Sequence, residues 1–179
     1  MSDPKVIAYI ATSLDGFVAR KNHDISWLEK FNDPEDDYGW DEFISNIGTV
    51  IMGARTWEQT IQHPERYLPN VRNIVLSKKV SEPTENLEVE YHSGDIVQLT
   101  NDIKSTSDKN IFIMGGGKVV SSFLNAGLID ELWHFVAPVI IGEGLPLYTS
   151  LDDDLDLSLI DSTSYNSGIV RLRYLPETS

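Results

Sequence analysis

A chain of 179 residues with 41% hydrophobic and 9% aromatic content is long enough to bury the core of one domain spanning residues 1–179, and it holds no cysteine. Disulfides, thiolate nucleophiles and cysteine-ligated metals are therefore excluded, and any redox chemistry must come from a bound cofactor. Fourteen basic residues face 28 acidic ones, a formal net charge of −14 that argues against nonspecific binding to nucleic acid or to an anionic membrane. No stretch approaches the roughly 20 apolar residues of a membrane span, and the first apolar run is too short for a signal peptide, so a cytoplasmic location is expected.

In chain order, Lys5 to Thr12 (KVIAYIAT) is a short apolar run rich in β-formers, followed by the turn signal Leu14-Asp15-Gly16. It predicts a buried strand leading into a loop. From Pro34 to Ile47 the residues Tyr38, Trp40, Phe43, Ile44 and Ile47 recur at helical spacing, with Asp33 placed to cap and Glu35, Asp36 and Asp37 near the favourable N-terminal end. An amphipathic helix is expected there. Thr49 to Met52 predicts a buried strand, Gly53 a break, Arg55 to Gln62 a helix and Asn73 to Leu76 another strand. A segment over Glu88 to Tyr91 follows, then a helix near Asp95 to Ser105 and another over Lys118 to Ala126, which Gly127 stops. Glu131 to Ile141 is strand-like, and Leu157 to Tyr165 and Gly168 to Leu175 flank Asn166-Ser167 as a hairpin. The alternation predicts an α/β fold whose mixed, mostly parallel sheet carries helices on both faces and ends in antiparallel strands. The acidic run Leu151 to Leu157 (LDDDLDL) reads as a solvated connection.

Three strand ends stand out. Asn110 to Val120 (NIFIMGGGKVV) places three glycines between apolar runs, although each glycine costs about 0.5–1 kcal/mol relative to alanine in a folded element. Either a tight strand-to-helix turn demands positive φ and close packing, or a ligand lies on the bare backbone and its phosphates meet the N–H groups of the next helix. Val50 to Glu58 (VIMGARTWE) turns at Gly53 into a helix carrying Arg55 and Thr56, and Asn73 to Lys79 (NIVLSKK) runs out into Ser77, Lys78 and Lys79. Each segment brings a cation to a strand end, so these ends can build the local basic cluster that an anionic ligand needs in an acidic protein. His23, His63 and His92 sit in polar contexts without metal-ligand spacing, and no metal is expected.

These motifs, with VIAYIATSLDGFVA and Ser26-Trp27 before them, resemble the dihydrofolate reductase superfamily over essentially the whole chain. Gly127 to Tyr148 (GLIDELWHFVAPVIIGEGLPLY) resembles the branch that includes the reductase domain of riboflavin biosynthesis. The resemblance implies a three-layer fold with a central sheet of about eight strands, and NADPH as cofactor. Gly53, Arg55 and Thr56 fall where that family grips the cofactor's phosphates, Ser77 and Lys78 where it meets the 2′-phosphate, and Gly115, Gly116, Gly117 and Lys118 where the pyrophosphate crosses a helix start. Ala11, Leu76, Met114 and Val119 flank these positions and complete the implied cofactor set. Side chains at Gly116 or Gly117 are expected to occupy space the dinucleotide needs. The family usually carries arginine directly after the glycine of the second motif, whereas Ala54 precedes Arg55 here, so the 2′-phosphate grip leans on Lys78 and NADPH is expected over NADH.

The implied acceptor is a small nitrogen heterocycle or its ribosyl derivative, a pteridine or a riboflavin-pathway aminopyrimidine. Asp37 falls near the carboxylate that holds and helps protonate the pteridine, though a helix-start residue favoured by the dipole reads equally well. Thr12, Asp15 and His134 are further groups able to meet charge on the acceptor, and His134 also reads as a satisfied strand histidine. A second reading is a nucleotide-binding module that has lost reductase chemistry, and a third is an unrelated mononucleotide-binding α/β domain. The sparse polar residues over Leu132 to Tyr148, with the branch resemblance, imply a homodimer through that segment or the terminal hairpin.

Overall fold

The computed structural model describes residues 3–79 and 87–177. Its ten strands are β1 (Val6–Ser13), β2 (Phe17–Ala19), β3 (Ile47–Gly53), β4 (Arg72–Leu76), β5 (Glu90–His92), β6 (Asn110–Gly115), β7 (Glu131–Ala137), β8 (Leu145–Pro146), β9 (Leu157–Ser164) and β10 (Val170–Pro176). The helices are α1 (Trp40–Ser45), α2 (Ala54–Gln62), α3 (Ile96–Thr106) and α4 (Gly117–Asn125), with short 3-10 turns at Ser26–Phe31 and Pro64–Arg66.

Eight strands form one sheet in the order β5-β4-β3-β6-β1-β7-β10-β9. The first six are parallel, and β10 joins β7 and β9 antiparallel. Continuous apolar runs make this arrangement necessary, because strands such as Val50–Met52 and Ile111–Ile113 are buried on both faces and need cover on each. On one face Leu99 and Ile103 of α3 pack with Val120, Phe123 and Leu124 of α4 against Ile51, Ile74 and Ile113. On the other face Phe43 of α1 and Trp57 of α2 pack against Ile7, Val50, Met52 and Phe112. A third cluster joins Trp27, Phe135, Ala137 and Ile169 at the β7–β10 end.

Two expectations are corrected. The helix expected over Pro34 to Ile47 shortens to Trp40–Ser45, and Ile47 instead opens β3. Asp33, Asp36 and Asp37 each accept a backbone N–H two residues on, from Glu35, Tyr38 and Gly39, and these local bonds compete with helical ones. Tyr38 and Gly39 then take φ of 57° and 78°, which ends any helical path before Trp40. The strand expected over Glu131 to Ile141 ends at Ala137, and the chain from Val139 instead docks on the first loop through Leu14 N–H to Val139 O and Asp15 to Ile141 and Gly142. β2 and β8 form a small second sheet that no periodic signal marks.

Candidate cofactor and acceptor site

The strands part at the carboxyl end of the sheet. β1 stays paired with β7 as far as Ser13↔Ala137, whereas its ladder with β6 runs only from Val6↔Ile111 to Ala8↔Ile113. β6 meanwhile follows β3 as far as Met52↔Gly115. Tyr9 to Ser13 therefore faces Met114 to Gly116 across a gap, the kind of crevice where ligands sit in open α/β sheets.

Two helices start at the rim of this gap. α2 has Gly53 as its N-cap and α4 has Gly116, and neither start is closed by a side-chain hydrogen bond. Their first N–H groups and positive dipole ends are left for an anion. The two starts touch: a Cβ on Gly53 would lie 3.2 Å from Val119 Cγ2, and a Cβ on Gly116 would meet only Thr56 Oγ1, at 4.0 Å. Gly116 thus borders open space. The reason expected for Gly117 is corrected, because a Cβ there would lie 2.3 Å from Pro146 O and 2.6 Å from Leu147 O. Protein backbone from β8, rather than a ligand, requires that glycine.

The cations of this acidic chain sort by partner. Lys5, Arg20, Lys21, Arg55, Arg72, Lys104, Arg171 and Arg173 are in ion pairs. Lys30 lies over the Phe31 ring, and Lys109 reaches Ser45 O. Among the described residues that leaves Arg66, Lys78, Lys79 and Lys118 in none of these ion pairs or contacts. Lys78 and Lys79 follow β4 and Lys118 is in the first turn of α4, so three of the four stand at the carboxyl edge of the sheet, where the two helices start.

Arg55 is exposed and paired within its own helix to Glu58 at 2.8 Å. The Ser77 hydroxyl closes a turn, accepting from Lys79 N–H at 3.0 Å and donating to Lys79 O. Leu76, Met114, Val119 and Ala11 are half-buried beside the core clusters. Asp37 is exposed and accepts the N–H groups of Gly39 and Asp41, bonds that hold its carboxyl below the ordinary range and start α1. Hydrogen bonds from Ser13, Gly142 and Ile141 likewise keep Asp15 low.

Thr12 and His134 are brought together: Thr12 Oγ1 and His134 Nε2 lie 2.8 Å apart. Burial pushes His134 down to about 4, so the ring is neutral near pH 7. Strand alternation puts this pair on the α4 face, while Asp37 stands with Tyr9 and Tyr165 on the opposite face. The three residues singled out for chemistry do not form one constellation.

A cleft of about 410 Å³ escaped the sequence reading. It lies between residues 22–29 and the flank of α2, where His23, Glu29, Arg55, Gln59, Gln62 and Arg66 line it. His23 sits at φ 68°, and its carbonyl accepts the Gln59 amide, which ties the loop to α2. Arg66 has no periodic context in QHPERY, and only the fold brings it beside Arg55. Among the described residues no group of three or more His, Cys, Asp or Glu could hold a metal ion, and no helix is long and apolar enough to cross a membrane.

A parallel-cored sheet that splits above two glycine-capped helix starts is the dihydrofolate reductase-like architecture. The structure of Enterococcus faecalis dihydrofolate reductase complexed with NADP(H) superposes on it with a TM-score of 0.69 at 18% identity, covering 98% of each chain. A Shewanella sp. PV-4 protein assigned to riboflavin biosynthesis superposes with a TM-score of 0.88 at 26% identity, over 97% of this chain and 99% of that one. The chain belongs to the RibD C-terminal domain family, whose model matches residues 4–171. The uncharacterized protein YyaP of Bacillus subtilis is 29% identical over 95% of this chain and 94% of its own length.

Proposed function

We propose that the chain is an NADPH-dependent reductase that delivers a hydride to a small nitrogen heterocycle or its ribosyl derivative, an aminopyrimidine of the riboflavin type or a pteridine. The observation that carries this reading is the meeting of two helix starts without side-chain capping bonds on open space at Gly116, with three lysines free of ion pairs along the same edge. The residues fit the cofactor. Gly53, Thr56 and Gly115 to Lys118 would hold its phosphates, Ser77 and Lys78 its 2′-phosphate, and the gap beside Ala11 its reactive end. When bound, NADPH supplies the hydride.

The chain's own contribution is to position and to exclude water. α2 has the phosphate site at its start and the 410 Å³ cleft along its flank, so one rigid helix sets the distance between cofactor and acceptor. Arg66 lines that cleft, makes no direct ion pair and would anchor an anionic or strongly polar tail of the acceptor. The test mixes purified protein with NADPH and candidate pterins and aminopyrimidines and follows NADPH absorbance. Turnover on one of them is expected. Binding of NADPH without turnover on any would instead favour a nucleotide-binding module.

Lys78→Ala is expected to weaken NADPH by about 1.5–3 kcal/mol, the range of a charge-assisted hydrogen bond, and to leave NADH nearly unchanged. Fluorescence titration with both cofactors checks it, and equal losses would move the 2′-phosphate elsewhere. The proposed assembly is a homodimer through part of Leu132 to Tyr148 or the terminal hairpin. Leu132, Phe135 and Leu147 are covered within the chain, whereas Ile140 and Tyr148 are 69% and 40% exposed and Leu157, Leu159, Ile160, Val170 and Leu175 of β9 and β10 are 36–55% exposed. Light scattering should give twice the 20.1 kDa of one chain, and a monomer mass rejects the pairing.

A further inference from the structure

The Thr12–His134 pair lies outside the acceptor cleft and on the face away from Asp37, yet Thr12 sits on the strand that borders the gap. β1 is held on one side only from Tyr9 onward: its ladder with β6 has ended, and its ladder with β7 continues to Ser13↔Ala137. His134 is opposite Ile10 on β1 and opposite Leu172 on β10, so its ring has an aliphatic side chain beside it on each neighbouring strand. The Tyr148 ring stands edge-on to it with centroids 6.3 Å apart. Thr12 is 1% exposed. Two apolar side chains would pack such a place without the desolvation cost of an imidazole and a hydroxyl, but they would supply no directional bond.

We propose that His134 is a positioning residue: through its hydrogen bond to Thr12 it fixes the one-sided end of β1 on β7, and so keeps the gap between β1 and β6 in the shape that receives the reactive end of the dinucleotide. The inference rests on the NADPH reading above. It concerns only the nicotinamide end of the cofactor, because the phosphate-holding starts of α2 and α4 and the strand end at Lys78 belong to β3, β6 and β4 rather than to β1.

That division supplies the test. NADPH and 2′-phospho-ADP-ribose, which lacks the nicotinamide, are titrated against wild type, His134→Leu, His134→Gln and Thr12→Val. His134→Leu and Thr12→Val should each raise the NADPH dissociation constant about tenfold, as expected when one buried hydrogen bond that sets a strand end is lost. Both should bind 2′-phospho-ADP-ribose as wild type does. His134→Gln, which retains a polar group able to reach Thr12, should recover most of the NADPH affinity. The double variant should lose no more than either single one, since both act through the same bond. Equal losses for the two ligands, additive losses, or no loss would overturn the proposal. If His134→Leu does not fold, the nearly isosteric Thr12→Val carries the same comparison. A wild-type chain that binds 2′-phospho-ADP-ribose and NADPH equally also overturns it, whereas one that binds neither removes the cofactor reading itself.

Discussion

Gly116→Val is expected to abolish NADPH binding in a chain that still folds, with an affinity loss of at least about 100-fold, or about 2.7 kcal/mol. The backbone there has φ −77°, which any residue can adopt, and a Cβ would meet no protein atom nearer than Thr56 Oγ1 at 4.0 Å. The branched side chain would therefore reach into the space proposed for the cofactor and meet little protein. Gly117→Ala should behave in the opposite way. Its Cβ would lie 2.3 Å from Pro146 O, so β8 has to move and the fold should lose roughly 1–3 kcal/mol or more, as overpacked sites do. Cofactor titration and thermal melts on both variants separate the two glycines. A folded Gly116→Val chain with unchanged NADPH affinity would take the pyrophosphate away from this loop.

The second large effect lies at the far end of the sheet. Glu131 opens β7 with its side chain 5% exposed, and it accepts from Lys5 Nζ at 2.7 Å, Arg173 Nη2 at 2.9 Å and Trp133 Nε1 at 2.9 Å. Arg173 also lies over the Trp133 ring at 4.2 Å. Glu131→Ala leaves Arg173 partly buried without its carboxylate, and breaking a buried pair from one side typically costs about 3–5 kcal/mol. Burial alone would raise the Glu131 carboxyl, but the bonds from Lys5, Arg173 and Trp133 bring it down to about 2. Its contribution is thus present above its ordinary value of 4.5 and is lost as pH falls from there toward 2. His134 acts in a higher window. Its folded value of about 4 lies below the ordinary 6.5, so the unfolded chain gains a proton first and stability falls as pH drops from 6.5 to 4. Urea midpoints measured against pH should decline through both windows. Glu131→Ala should flatten the lower one and His134→Leu the upper one, and a midpoint independent of pH would refute both assignments.

What could be read from the chain alone followed from local pattern. Apolar runs such as Val50–Met52 and Ile111–Ile113 marked strands buried on two faces, and Asp95, Gly127 and Asn166-Ser167 marked a helix start, a helix stop and a hairpin turn. Those features are determined within a few residues, where backbone sterics and side-chain periodicity act. The same locality explains the misplaced start of α1. Helical spacing was present from Tyr38, but three aspartates bonding their own turns outweighed it, and spacing does not report that competition.

The glycine segment shows where local reading stops. Sequence alone called for bare backbone at residues 115–117, yet whether the empty space belongs to a ligand or to the protein differs between Gly116 and Gly117, and that depends on β8, some thirty residues away. Likewise the residue types named for chemistry were legible, but Thr12, His134 and Asp37 fall on two faces because strand parity and register decide which side chains meet. Arg66 joins Arg55 in one cleft only because the chain from His63 to Arg66 folds back along α2. The sequence by itself determined the order of the helices and of the main-sheet strands, the absence of thiol chemistry and the supply of cations at strand ends. The tertiary structure decided which strands part, which cations remain without partners and which glycine faces open space, because these depend on contacts between segments far apart in the chain.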